Sequence, residues 1–196
     1  MKTQTMAGVL CALAIGAFAA PAFAGSEKTA AAERQTMVKD AEATVDAFLR
    51  ADPGLSRFFD GAMGYAVFPS VGKGAVGVGA AHGTGVLFER SGVVFKSKKP
   101  VGETSLTQVT VGAQLGGQAY SEVVFFETEH ALKRFKSGEF AMAAEVSAVI
   151  AASGASADAK YANGVAVFTM TKGGLMAEAS VGGQKFGFTP FSKSTM

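Results

Sequence analysis

The chain has 196 residues, of which 48% are hydrophobic and 17% charged, with 25 Gly, one Cys, no Trp and a formal charge of +2. That length suits one domain, and the apolar fraction excludes an intrinsically disordered chain. A near-neutral chain without a dense basic run is a poor nucleic-acid binder, so no nucleic-acid partner is expected.

The first segment reads as an address. Met1-Lys2-Thr3 is weakly positive, Met6 to Ala20 is an apolar run, Pro21 breaks it, and Ala22-Phe23-Ala24 gives the small-x-small pattern of a signal-peptidase site. The expectation is a signal peptide over residues 1–24, cleaved after Ala24, and a periplasmic or secreted protein. Cys11 has a bulky residue before it and stands too early in the apolar run for a lipobox. The chain beyond Ala24 contains no Cys, hence neither a disulfide nor a thiol nucleophile.

Residues 25–60 read as an N-terminal helical segment. Val38, Ala41, Val45 and Phe48 form one apolar stripe of a helix over Glu27 to Ala51, which Asp52-Pro53-Gly54 ends. Its charges are mixed and lack the Lys/Arg-rich face of a membrane-surface helix, so packing on its own domain is expected. Leu55, Phe58 and Phe59 predict one further helical turn before Gly61.

From Gly64 the period becomes that of strands. Tyr65 to Phe68 is an apolar run stopped by Pro69, Val71 to Gly85 interleaves Gly with Val and Ala, and Val86–Glu89 and Val93–Phe95 flank Arg90-Ser91-Gly92 as a hairpin. Gln108 to Leu115 alternates, with Val109, Val111, Ala113 and Leu115 on one face. Val123 to Phe126 is apolar throughout and predicts a strand buried on both faces. Thr128 is the expected N-cap of a helix to about Ser137, with Leu132 and Phe135 inward and Gly138 as terminator. Phe140 to Ala152 reads equally well as helix or strand, and Ser153 to Asn163 as a polar loop. Val165–Met170 and Leu175–Val181 predict a last strand pair. The order predicts an α+β fold: a mainly antiparallel sheet with an N-terminal helix and a second helix packed against it.

Catalytic signatures fail one by one. Gly72-Lys73-Gly74-Ala75-Val76-Gly77 matches GxGxxG, yet another Gly/Val alternation comes next where a dinucleotide site needs a helix N-terminus. Val67 stands where a P-loop would need its first Gly. After Ala24 the histidines are His82 and His130, from distant segments, so no metal site is expected. No G-x-S-x-G elbow surrounds Ser70 or Ser180. The expectation is therefore a protein that is not an enzyme and uses no cofactor.

Two basic groups remain: Arg90, Lys96, Lys98 and Lys99 around the hairpin, and Lys133, Arg134 and Lys136 in the last turns of the second helix. They suit a solvated, aggregation-blocking edge and a helix C-terminus respectively. They equally suit a patch for anionic lipid headgroups.

Gly64-Tyr-Ala-Val-Phe-Pro-Ser-Val71 with Lys73 and the Gly-rich Val76–Leu87 resembles the opening of the SYLF domain family. Val109 to Gln118, Val123–Phe126 with the helix ending Phe135-x-x-Gly138, Phe140–Ala148, Val165–Phe168, Lys172–Ala177 and Val181-Gly-Gly183 are similar to its later segments. The resemblance spans about Gly61 to Phe188 and places a SYLF-like lipid-binding domain over residues 61–196. It implies a non-enzymatic domain. Eukaryotic members bind phosphoinositides and other anionic phospholipids, some fungal ones bind actin, and bacterial members are commonly exported. The expected partner is an anionic phospholipid membrane, and Lys73, inside a family motif, joins the candidates for headgroup binding. The alternative is an envelope interaction module that self-associates or binds another protein through its Gly/Val-rich strands.

Overall fold

The structure is a computed structural model that describes residues 23–91, 97–138, 148–150, 154–171 and 183–191. Helix α1 runs from Phe23 to Ala51, a 3-10 turn covers Pro53–Leu55, and α2 covers Ser56–Gly61. Strands β1 (Gly64–Ser91) and β2 (Ser97–Phe126) form a long antiparallel hairpin, followed by α3 (Glu129–Lys136), β3 (Ala148–Ile150), β4 (Val165–Thr171) and β5 (Gln184–Pro190). β4 and β5 both pair antiparallel with β2, at opposite ends, and β3 adds parallel to β4. The α+β architecture with a mainly antiparallel sheet is as the sequence predicts.

The hairpin folds over on itself. Gly64 lies against the carbonyl of Phe88, Gly83 against Ser70 and Val71, and Gly85 against Val67 and Phe68. Arg90 N–H also donates to the Met63 carbonyl at 3.0 Å. Both ends of β1 are thus in contact, and the two halves of β2 that carry β4 and β5 share one core through Leu106, Tyr120 and Val124. A Cβ at Gly85 would run into the Val67 carbonyl, so the crossing of the two layers requires glycine there.

Side chains alternate between two cores. Ala66, Phe68, Val124, Phe126, Val165 and Val167 point to an interior shared with α3 and with Phe186 of β5. Val67, Val123, Phe125, Ala166 and Phe168 point to the other face, covered by Ala41 and Phe48 of α1 and by Phe58 and Phe59 of α2. Val123–Phe126 is therefore buried on both faces, as its unbroken apolar run requires.

Local signals hold at the helices. Thr128 Oγ1 accepts from Ala131 N–H at 3.2 Å, and Gly138 adopts φ +72°, the left-handed residue that stops α3. Asp52 ends α1 and accepts from Gly54 N–H at 3.0 Å and from Ser156 N–H at 2.7 Å. Arg57 donates to the carbonyls of Ser156, Ala157 and Ala159, so loop 154–159 is tied to the start of α2.

Three expectations change. Pro69 does not stop the strand: it sits where the register slips between Phe68 and Val71, a bulge that asks no N–H of it. The hairpin turn is not Arg90-Ser91-Gly92, since Arg90 pairs with Lys98 and Ser91 with Ser97. The final strand is Gln184–Pro190, whose polar start gives no strand signal in the sequence. The strands expected at Val93–Phe95 and Leu175–Val181, residues 1–22 with most of the expected signal peptide, and Phe140–Ser147 lie outside the described residues.

Candidate functional site

The two basic groups meet. The end of the hairpin lies beside α3, where Lys136 Nζ is 2.7 Å from Glu89 Oε1, and Glu89 is the register partner of Lys99. Lys133 Nζ is 3.6 Å from Glu129 Oε2 one turn earlier on α3, with both side chains largely exposed. Between them lies a depression of about 230 Å³ lined by Met63, Leu132, the cations Arg90, Lys133 and Lys136 and the acids Glu89 and Glu129. The amphipathic α3 explains the placement: Ala131, Leu132 and Phe135 are buried, which turns Lys133, Arg134 and Lys136 outward.

Aromatic rings support two of the cations. Lys98 Nζ stands 5.3 Å from the centroid of the Tyr65 ring and Lys136 Nζ 5.4 Å from that of Phe188. Burial first, and the charge of Glu42 second, push the Tyr65 phenol up to about 12, so the ring beneath Lys98 is neutral.

Arg90 has a different employment. Its guanidinium donates to the carbonyls of Asp60, Gly61 and Ala62 at 2.9, 3.0 and 3.3 Å, closing the C-terminus of α2. Lys98 and Lys99 lie on the paired strand, half-buried and exposed respectively. Lys96 falls outside the described residues. Lys73 is not part of this surface: it pairs with Gln118, nine positions past the Gly64 that touches Phe88, and so sits toward the opposite end of the folded hairpin. The depression therefore joins Arg90, Lys133 and Lys136 with Glu89 and Glu129, and Lys99 stands opposite Glu89 in register, whereas Lys98 stands over Tyr65 and Arg134 is exposed on α3. Sequence reasoning does not reach the acids, because only the fold brings Glu89 to Lys136.

A larger cleft of about 500 Å³ opens between α1 and the sheet, lined among others by Asp40, Thr44, Ser70, Ser121 and Met170. Its lining includes an acid and no base, which makes it the poorer place for an anion. His82 and His130 are both exposed. Among the described residues no three His, Cys, Asp or Glu are grouped to hold a metal, and no helix is long and apolar enough to cross a membrane.

The interior holds a second polar group, which sequence reasoning misses. At the next inward-facing position each strand turns from apolar to polar: Leu106 to Gln108, Val124 to Glu122, Val167 to Thr169 and Phe186 to Gln184. Gln108 and Gln184 are register partners, as are Glu122 and Thr169. Glu122 is fully buried, its Oε2 accepts from Gln184 Nε2 at 3.0 Å, and burial pushes its carboxyl up to about 7 against the lowering effect of that bond. The alternation in Gln108–Leu115 carries the clue in inverted form, since Gln108 is buried and Val109 is 63% exposed.

Residues 107–189 match the family described as Ysc84, Las17-binding protein actin regulator. Beta cell expansion factor A of Aeromonas veronii is 28% identical over 159 residues, covering 81% of this chain and 58% of that protein. The chain thus spans less than two thirds of the length of that relative.

Proposed function

Since the chain carries a SYLF (Ysc84) domain, we propose that it is a non-enzymatic protein that binds anionic phospholipid headgroups at a membrane surface, and that it does so as an exported protein. The observation that carries this reading is the convergence of the hairpin end and α3 around one depression, with Arg90, Lys133 and Lys136 in its lining and Lys99 opposite Glu89, against the two carboxylates Glu89 and Glu129. Cations at such a surface each contribute roughly 1 kcal/mol toward an anionic bilayer, screened within a Debye length. Neither metal nor covalent chemistry is invoked. Lys99, Lys133 and Arg134 point to solvent and meet the headgroups, while Lys98 and Lys136 stand over aromatic rings that fix their position.

The test is co-sedimentation with vesicles of neutral phosphatidylcholine and of phosphatidylcholine with anionic phosphatidylglycerol, at low and high salt. Binding to the anionic vesicles that fades with salt is the expected result. Failure to bind either vesicle refutes headgroup recognition. Concentration-dependent assembly without any lipid effect would instead favour an envelope interaction module built on the Gly/Val-rich strands.

A further inference from the structure

The polar layer inside the sheet is out of balance in one direction. Glu122 Oε1, Gln184 Oε1 and Thr169 Oγ1 are buried and have no hydrogen-bond partner. Two are acceptors, the third is a hydroxyl that can turn its lone pairs inward, and one belongs to a carboxylate. Buried oxygen atoms of this kind are costly unless something positive or proton-donating meets them. Tyr120, on the same face of β2 two residues from Glu122, is the titratable group the described residues place beside it; its phenol is held above the ordinary range, first by burial and then by the Glu122 charge, against the lowering effect of a hydrogen bond with the Gln184 side chain. The inward-facing Phe68, register partner of Glu122 on β1, brings no charge. No Lys or Arg is found among the buried polar residues that the structure describes.

We propose that Glu122, Thr169 and Gln184 form an internal binding site for a small monovalent metal cation of the sodium class, coordinated by Oε1, Oγ1 and Oε1 respectively. A single carboxylate with neutral amide and hydroxyl oxygens suits a hard cation of one charge, which leaves the buried site neutral. A divalent ion would leave a net positive charge in an apolar core. The site is placed to act as a clip: Glu122 is on the half of β2 that holds β4, Thr169 is on β4, and Gln184 is on β5, which pairs with the other half of β2. A bound cation therefore ties together the two layers of the folded hairpin.

Thermal unfolding of the whole chain, at pH 8.5 and constant ionic strength, in sodium chloride against choline chloride tests this directly, because choline is too large to enter. The expected result is a melting temperature higher by at least about 3 °C in roughly 0.2 M sodium, since a ligand that binds only the folded state raises stability by mass action. The sodium effect vanishes at pH 8.5 in Glu122→Gln and in Thr169→Val. Broadening of the sodium-23 resonance by the wild-type protein, absent with Glu122→Gln, is the direct readout. Equal melting temperatures of the wild-type protein in sodium and choline at pH 8.5 overturn the proposal. That comparison needs no variant, and vesicle binding through the outer basic surface does not enter it.

Discussion

A glutamate carried into an apolar interior should make this protein lose stability as the solution becomes more alkaline. Glu122 is fully buried, and its carboxyl is raised from 4.5 to about 7 by desolvation, so the folded protein holds a proton that the unfolded chain releases. The sign comes from linkage: where the folded state binds more protons, stability falls with rising pH. The contribution is complete below the unfolded value of 4.5 and is lost as pH rises to and beyond about 7. At about 1.4 kcal/mol per pH unit the loss amounts to about 3 kcal/mol. Urea unfolding monitored by circular dichroism in choline buffers between pH 4.5 and 8.5 measures it without competition from small cations. Glu122→Gln keeps an acceptor for Gln184 Nε2 and removes the charge, so it should flatten the profile and exceed the wild-type stability at pH 8.5 by a similar amount. A wild-type profile already flat over this range, or a Glu122→Gln profile with the same slope, would refute the assignment of a protonated, buried Glu122.

Other expected outcomes rest on single contacts. Burial raises the Asp52 carboxyl, but hydrogen bonds from Ser156 and Gly54 outweigh it and hold the carboxyl below its ordinary 3.8; stability should therefore fall on acidification through and below that value, and Asp52→Asn should blunt the fall. Gly85→Ala places a methyl group on the Val67 carbonyl and should cost about 3 kcal/mol or more in urea unfolding, whereas Gly72→Ala, with open space around it, should cost under about 1 kcal/mol. Thr128→Ala removes the cap of α3 and should cost about 1 kcal/mol by the same assay. Arg90→Ala should lower stability through loss of the α2 closure while weakening vesicle binding less than Lys99→Glu does.

Much of this fold is legible in the sequence where the signal is local. The stripe from Val38 to Phe48, the Thr128 cap, the Gly138 stop and the double-sided Val123–Phe126 strand each come from periodicity or capping chemistry, and the SYLF motifs agree with the family match over 107–189. Features set by contacts between distant segments are not legible. Pro69 reads as a stop because a bulge depends on the partner strand, and β5 begins with Gln184-Lys185, which has no apolar pattern until it is laid beside Gln108 and Leu106. The candidate surface is half visible: both basic groups stand in the sequence, but their meeting, the pairing of Lys136 with Glu89 and the diversion of Arg90 to α2 arise only when the hairpin folds over. Lys73 shares a motif with the family and lies elsewhere on the fold.

Headgroup binding of the kind proposed requires the hairpin end and α3 to act together on one anionic membrane surface. The most direct measurement is the affinity for phosphatidylglycerol-containing vesicles of Lys99→Glu, of Lys133→Glu and of the double variant, each with its circular dichroism spectrum. At roughly 1 kcal/mol per cation, loss of either lysine alone weakens binding about fivefold; each reversal, which also adds a negative charge, should weaken it by at least that much, and the double variant should lose about the product of the two. Affinity unchanged in both single variants and in the double variant would contradict this requirement and remove the surface from membrane binding.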